Sequence, residues 1–153
     1  MINSKQISLL AAFAAAKVEF AVVGGVAVNA HGYLRATNDL DIFIRPTEEN
    51  AHAAFNALQS LGVPLDGLKP TDLLDDEENL RFGPAEDHID ILPSIGEMPF
   101  DQVWRNRIMT EVEGIVVPFI SKSDLIKNKR QVGRLRDLAD AEELALIPDP
   151  ELP

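Results

Sequence analysis

The sequence contains no cysteine and comparatively few basic residues. Without cysteine the chain has neither disulfides nor thiolate metal sites, which fits a reducing compartment. The 14 Lys and Arg residues stand against 25 Asp and Glu residues, giving a formal net charge of -11. A chain this acidic is not a generic nucleic-acid binder, so any polyanionic partner needs a local basic patch or a bridging metal ion.

Long apolar runs are also missing, and none reaches the length needed to cross a bilayer. The alanine-rich start, over residues 1–20, lacks a basic region and a cleavage site, so we interpret it as a helix and not as a signal peptide. We therefore expect a cytoplasmic protein with no membrane partner. The 153 residues, 46% of them hydrophobic, predict a single globular domain over residues 1–153 with a sizeable core.

The order of predicted elements indicates an α/β or α+β domain, with a mixed sheet flanked by helices. Periodicity and capping residues predict, in the first part of the chain, a helix from Asn3 or Ser4, a strand over 19–24, a short helix over 25–32, a strand over 39–44 and a helix from Thr47 to Gly62. A loop or short helix over 63–79 follows, and then strands over 80–83 and 88–95 and one or two helical turns over 100–107. The last predicted elements are a hairpin over 109–121, which turns near Glu113 and Gly114, and a C-terminal helical segment over 121–147, which Ser121 caps.

Two acids interrupt the apolar strand "DLDIFI". Asp39 and Asp41 are two residues apart, so they share one face of the strand, opposite Leu40 and Ile42. Like charges this close disfavour each other's ionisation, and a divalent cation such as Mg²⁺ or Mn²⁺ would compensate them. Asp90 in "HIDIL" has the same apolar surroundings, so three carboxylates converge if the two strands are neighbours.

The adjacent glycines Gly24 and Gly25 end the preceding strand and open the short helix. Glycine lets the backbone approach a ligand closely, and a helix start favours an anion. A phosphate bound there would lie near metal ions held by the acids, the arrangement that metal-assisted phosphoryl transfer requires.

The motif formed by Gly-Gly, thirteen residues, Asp-Leu-Asp and a later strand aspartate resembles the nucleotidyltransferase superfamily, whose fold is shared with DNA polymerase β. The segments "RATNDLDIFI" and "KSDLIKNKRQVGRLRDLADAEEL" look like its small bacterial branch, which includes toxin-type nucleotidyltransferases of the abortive-infection kind. The resemblance implies that Asp39 and Asp41 bind both metal ions and that Asp90 ligates the catalytic one and assists deprotonation of the acceptor. It further implies that Gly24 and Gly25 hold the nucleotide phosphates.

The same resemblance assigns further nucleotide-binding residues. Lys122 and Lys127 are the best matches to a lysine that meets the triphosphate from a late helix, with Lys129 and Arg130 behind them. Arg35 and Thr37 match an "RxTxDxD" variant of the motif, in which they contact phosphate or shape the loop.

The basic run over residues 122–136 has two interpretations: a solvated helix face, or a surface for triphosphate or an RNA backbone. In either case Asp137 and Asp140 are expected to pair with these bases. His88 is interpreted as structural or as a neighbour of the acidic site.

The functional hypothesis is a metal-dependent nucleotidyltransferase that moves a nucleoside monophosphate from an NTP, such as ATP, to a hydroxyl. The acceptor is a protein, an RNA or a small molecule, and the protein is expected to act as a toxin–antitoxin component with an antitoxin-type partner. The alternative is a non-catalytic nucleotide-binding or interaction protein that retains the fold. A phosphohydrolase is a third reading, which leaves the glycines and the late lysines without a shared purpose.

Overall fold

The computed structural model describes residues 2–149, in which six α-helices accompany one six-stranded mixed β-sheet. The helices are α1 (Ser4–Ala15), α2 (Gly24–Ala30), α3 (Glu48–Ser60), α4 (Phe100–Asn106), α5 (Lys122–Val132) and α6 (Leu135–Leu146). The strands are β1 (Phe20–Val23), β2 (Leu40–Ile44), β3 (Leu80–Phe82), β4 (Ile89–Leu92), β5 (Ile108–Val112) and β6 (Ile115–Phe119), and a short 3₁₀-helix covers Pro70–Leu74. The predicted α+β class with a mixed sheet is confirmed at this level.

Local side-chain chemistry explains where the longer helices begin. The side chains of Asn3, Thr47 and Ser121 each accept a hydrogen bond from the backbone N–H three residues further on, as N-caps do. Gly133, in the left-handed conformation with φ of 73°, ends α5 and separates it from α6. The predicted caps are therefore confirmed.

The sheet has the strand order β3-β4-β2-β1-β6-β5. The pairs β2–β4 and β1–β6 are parallel, and the remaining pairs are antiparallel. Two hairpins, β3–β4 and β5–β6, form the outer parts of the sheet, and β2 lies between β1 and β4. This order makes the two acid-bearing strands, β2 and β4, direct neighbours.

The core fixes β2 in its position. Leu40, Ile42 and Ile44 are fully buried, as the alternation of the strand predicts, and they pack with aromatic side chains of α1, β1 and β6 in one apolar cluster. Burial of such side chains is worth about 2 kcal/mol each, so the register of β2 is strongly determined. No helix within residues 2–149 is both long and apolar enough to cross a membrane.

Candidate active site

Asp41 and Asp90 lie directly opposite each other on the parallel strands β2 and β4. Asp39 immediately precedes β2 and is about two-fifths exposed at its side chain, whereas Asp90 is buried. The structure thus brings together the three predicted carboxylates through strand register, because a one-residue shift of β2 would move Asp41 to the other face.

The acids disturb each other's ionisation. Burial, followed by the charge of Asp90, a hydrogen bond shared with Asp90 and the charge of Asp39, raises the pKa of Asp41 from 3.8 to about 6, against a small lowering effect of His88. At neutral pH this end of the sheet therefore carries concentrated negative charge that the neighbouring side chains compensate only in part.

Two side chains of the chain itself contact the acids, and the Arg81 guanidinium supplies that partial compensation. Arg81 of β3 donates two hydrogen bonds to the Asp90 carboxylate, at 2.7 Å from Nε to Oδ1 and 3.2 Å from Nη2 to Oδ2. The Nε2 atom of His88 lies 3.3 Å from an Asp39 oxygen and 3.5 Å from an Asp90 oxygen. His88 is therefore a direct neighbour of the acids, as one of its two predicted interpretations required.

The donor set fits a divalent cation chemically, because three carboxylates supply the hard oxygen ligands that Mg²⁺ and Mn²⁺ prefer. In the arrangement described for residues 2–149, however, no three acidic or histidine side chains surround a common point as metal ligands. Arg81 donates to both oxygens of Asp90, so a cation shared by all three acids has to compete with Arg81 for that carboxylate.

Gly24 and Gly25 lie so close to other side chains of the protein that a Cβ at either position would collide with them. Gly24 has φ of +66°, and a Cβ on it would overlap the Asp41 carboxylate. A Cβ on Gly25 would lie 2.6 Å from Thr37 Oγ1 and 3.3 Å from Arg35 Nη1. The backbone at the start of α2 is thus packed tightly against Asp41 and against the loop that carries Arg35 and Thr37.

A cavity of about 410 Å³ connects these features. One of its walls contains Asp39 and Asp41 beside Gly24 and Gly25. The rest of the lining, here called the cationic wall, comes from α5, from α6, from the turn between them and from the loop before β2, and it carries four cationic side chains: Arg35, Lys129, Arg134 and Arg136. In a chain with a net charge of -11, this concentration of cations next to carboxylates is local and specific.

The structure does not bring every predicted nucleotide-binding residue into this cavity. Arg35 and Thr37 line it, but Lys122 and Lys127 line a separate groove between α5 and the end of α6. Lys122 Nζ there donates to the carbonyl oxygen of Ile147 at 2.5 Å and contacts Asp149 at 2.8 Å. The lysine of α5 that lines the cavity is Lys129, which contacts Asp137 and Asp140 of α6.

Sequence reasoning missed Arg81 entirely and did not single out Arg134 or Arg136 as site residues. An arginine on an edge strand gives no local signal that its partner is an acid nine residues later. For Arg134 and Arg136 the signal was present, since both belong to the basic run over 122–136. The expected pairing of Asp137 and Asp140 with these bases is confirmed.

Comparison with protein-family models and with curated proteins found no match for this chain. The function of the chain is therefore inferred from the geometry of the site.

Proposed function

We propose that the protein is a metal-dependent nucleotidyltransferase with the nucleotidyltransferase fold, which moves a nucleoside monophosphate from an NTP to a hydroxyl acceptor. One observation carries this proposal. A single cavity is lined by Asp39 and Asp41, by Gly24 and Gly25 and by a cationic wall, and Asp90 pairs in register with Asp41 on the neighbouring strand. Carboxylates suit metal ions that accompany a triphosphate, and the cationic wall suits the triphosphate itself.

In the proposed reaction an acceptor hydroxyl loses its proton, and its oxygen attacks the α-phosphorus of the NTP. A new O–P bond forms, the bond from the α-phosphorus to the pyrophosphate oxygen breaks, and pyrophosphate leaves with the electron pair. Asp39, Asp41 and Asp90 would hold Mg²⁺ or Mn²⁺, which neutralises phosphate charge and lowers the pKa of the hydroxyl. Asp90 is the proposed proton acceptor once Arg81 has released it.

The cavity walls have separate tasks in this proposal. Arg35, Lys129, Arg134 and Arg136 supply the positive charge that attracts the polyphosphate to this part of the cavity. The volume of about 410 Å³ is within the range of small-molecule sites. The acceptor is proposed only at the level of a hydroxyl on a protein, an RNA or a small molecule.

The test is transfer of label from each α-labelled NTP to components of a cell lysate by the purified protein. We expect label in protein, RNA or a small molecule with wild type, and at least about a hundredfold less with Asp39→Ala or Asp41→Ala. Asp76→Ala, which removes an exposed acid that does not line the cavity, serves as the matched control. Full transfer by the folded Asp39→Ala/Asp41→Ala double variant would refute the assignment.

A specific observation favours a second candidate, a non-catalytic nucleotide-binding protein. Arg81 already pairs with Asp90, so the chain provides part of the positive charge that a metal ion would supply. Calorimetric titration with each NTP, in Mg²⁺ and in chelator, separates the two candidates. Binding of equal strength in chelator, together with no label transfer, would support the second candidate over the first.

A further inference from the structure

Two buried aspartates of α6 bind three of the four cations on the cavity wall. Asp140, 2% exposed, accepts hydrogen bonds from Nε and Nη2 of Arg35, both at 2.9 Å, and lies 3.0 Å from Lys129 Nζ. Asp137, 3% exposed, lies 3.3 Å from Lys129 Nζ and 2.7 Å from Arg134 Nε. Lys129 therefore bridges the two acids, and the five side chains form one connected network.

The network joins parts of the chain that are far apart in sequence. Arg35 belongs to the irregular loop between α2 and β2, 105 residues before Asp140. The same loop carries Thr37, against Gly25, and leads directly into Asp39. The bidentate contact has a fixed geometry, so it sets both the direction of the Arg35 side chain and the distance of this loop from α6.

The orientation of α6 is unusual for a surface helix. It buries Asp137 and Asp140, whereas Leu135 is 88% exposed and Leu138 is 43% exposed. Burying acids is costly, and well-packed apolar residues in place of a buried ion pair are often as stable or more stable. Stability is therefore a weak reason for this arrangement, and a requirement for cations in fixed positions is a second reason.

Both carboxylates are nevertheless well satisfied. Burial by itself would raise the pKa of Asp140, but the hydrogen bonds from Arg35 and Lys129 outweigh it and hold that pKa below the usual value. For Asp137 the effect of burial is likewise outweighed, by Arg134 and Lys129, and its pKa is also lowered. The two acids therefore stay ionised at neutral pH beside their cations.

Arg136 differs from the other three cations on this wall. It is exposed, lines the cavity and makes no ion pair with any residue between 2 and 149. Its five donors remain available to an anion. The network itself has three cations and two carboxylates, so it adds a net positive charge beside Arg136.

We propose that Asp137 and Asp140 are positioning residues, which hold Arg35, Lys129 and Arg134 in the geometry of a polyphosphate, and that Arg136 is a direct ligand of that polyphosphate. Identifying the ligand as an NTP rests on the proposed function. The binding of a polyphosphate anion does not, and it can be measured without any transfer reaction.

The first experiment titrates the full-length protein with inorganic tripolyphosphate in a calorimeter, with and without Mg²⁺. Arg136→Gln removes the exposed cation, and we expect binding about tenfold to a hundredfold weaker, as for loss of a charge-assisted hydrogen bond. Arg105→Gln is the matched control, because Arg105 is an exposed arginine of α4 outside the cavity and the net charge changes equally. Equal affinities of Arg136→Gln and Arg105→Gln would overturn the role of Arg136.

The second experiment tests positioning with Asp140→Asn. This change makes the wall more positive, so electrostatics alone would strengthen the binding of an anion. Positioning requires the opposite result, and we expect tripolyphosphate binding about tenfold weaker in protein whose circular dichroism shows it folded. Asp124→Asn is the matched control, since Asp124 is a buried acid held by Gln102 and Asn106 outside the cavity.

Unchanged or stronger binding by folded Asp140→Asn would overturn the positioning role. If this variant does not fold, Asp137→Asn, which leaves the Arg35–Asp140 contact in place, is judged by the same criterion. If neither folds, Arg35→Lys decides: it keeps the charge but loses the bidentate geometry, so unchanged binding overturns the role and weaker binding supports it. Tripolyphosphate binding without label transfer would refute the proposed function alone, and transfer with unaffected variants would refute this inference alone.

Discussion

The two walls of the cavity hold their aspartates in opposite electrostatic environments. On β2, burial and the neighbouring acids raise the pKa of Asp41 to about 6. On α6, burial has the same raising effect on Asp140, but Arg35 and Lys129 outweigh it and the pKa is lowered. Asp41 therefore lacks compensating charge that Asp140 has.

This difference distinguishes Asp41, which is proposed to bind a metal ion, from Asp140, which is proposed to position the cations of the cavity. An acid whose charge is poorly compensated reduces the stability of the fold at neutral pH, which is typical of functional sites. An acid held by two cations adds to the stability and fixes its partners. The same substitution, Asp→Asn, should therefore have opposite effects on the free energy of unfolding at the two positions.

The largest stability effect is expected from Asp140→Asn. The change leaves Arg35 and Lys129 with less compensating charge in a buried setting, which should cost about 3 kcal/mol at neutral pH. Because the folded pKa of Asp140 is lowered, its stabilising contribution is present above the unfolded value of 3.8 and is lost as the pH falls through the folded value. Urea unfolding from neutral to acidic pH measures both the loss of stability and its pH dependence. An Asp140→Asn variant as stable as wild type at neutral pH would contradict the difference between Asp140 and Asp41.

Asp41→Asn is expected to stabilise the protein while abolishing transfer. The rise of the pKa from 3.8 to about 6 corresponds to at most about 3 kcal/mol of destabilisation by the ionised group. The ionised Asp41 carboxylate destabilises the fold fully above its folded pKa, and this effect disappears as the pH falls toward 3.8. The gain in the free energy of unfolding of Asp41→Asn over wild type should therefore disappear over the same pH range. Urea unfolding at neutral and acidic pH tests this, with Asp76→Asn as control. A loss of stability at neutral pH would contradict the comparison.

Gly24→Ala should break the acidic wall by displacing the Asp41 carboxylate. The left-handed conformation, with φ of +66°, costs alanine about 1–2 kcal/mol, and the overlap with Asp41 adds to this cost. We expect label transfer to fall about a hundredfold through misplacement of the carboxylate.

Gly62→Ala is the matched control for this strain. Gly62 has φ of +78°, and a Cβ there would meet no atom within 4 Å. It should show the backbone cost in thermal unfolding and keep full transfer. Equal transfer by Gly24→Ala and Gly62→Ala would mean that the position of the Asp41 carboxylate does not matter.

The smallest stability effect is expected from Arg81→Gln. The Arg81 side chain is 64% exposed, so its pair with Asp90 should contribute at most about 1 kcal/mol. Removing the guanidinium frees the Asp90 carboxylate, and Mn²⁺ binding measured by paramagnetic resonance should become severalfold tighter. Arg105→Gln controls for net charge, and weaker Mn²⁺ binding by Arg81→Gln would indicate that Arg81 supports the metal site.

Much of the fold could be predicted because its signals are local. Helix starts are indicated by capping residues, whose side chains accept a backbone hydrogen bond at Asn3, Thr47 and Ser121. The β5–β6 turn is indicated by Glu113 and Gly114. The convergence of the three acids required one tertiary assumption, that the two strands are neighbours, and the β2–β4 register confirms it.

Which face of α5 lines the cavity could not be predicted from local signals. Its lysines point in several directions, and the choice of Lys129 over Lys122 and Lys127 depends on how α5 packs against α6. The Arg35–Asp140 contact spans 105 residues, so no local pattern indicates it. Arg81 has the same difficulty, because its partner is fixed by the pairing of β3 with β4.

The sequence alone determined which segments of the chain are acidic or basic, where the helices begin, and which face of β2 carries Asp41. Those features follow from hydrogen bonds and periodicities within a few residues. Only the tertiary structure decided that Asp90 stands opposite Asp41, that Lys129 lines the same cavity as Asp41, and that α6 turns Asp137 and Asp140 inward. Strand pairing and helix packing make these choices, because each depends on contacts between residues distant in the chain.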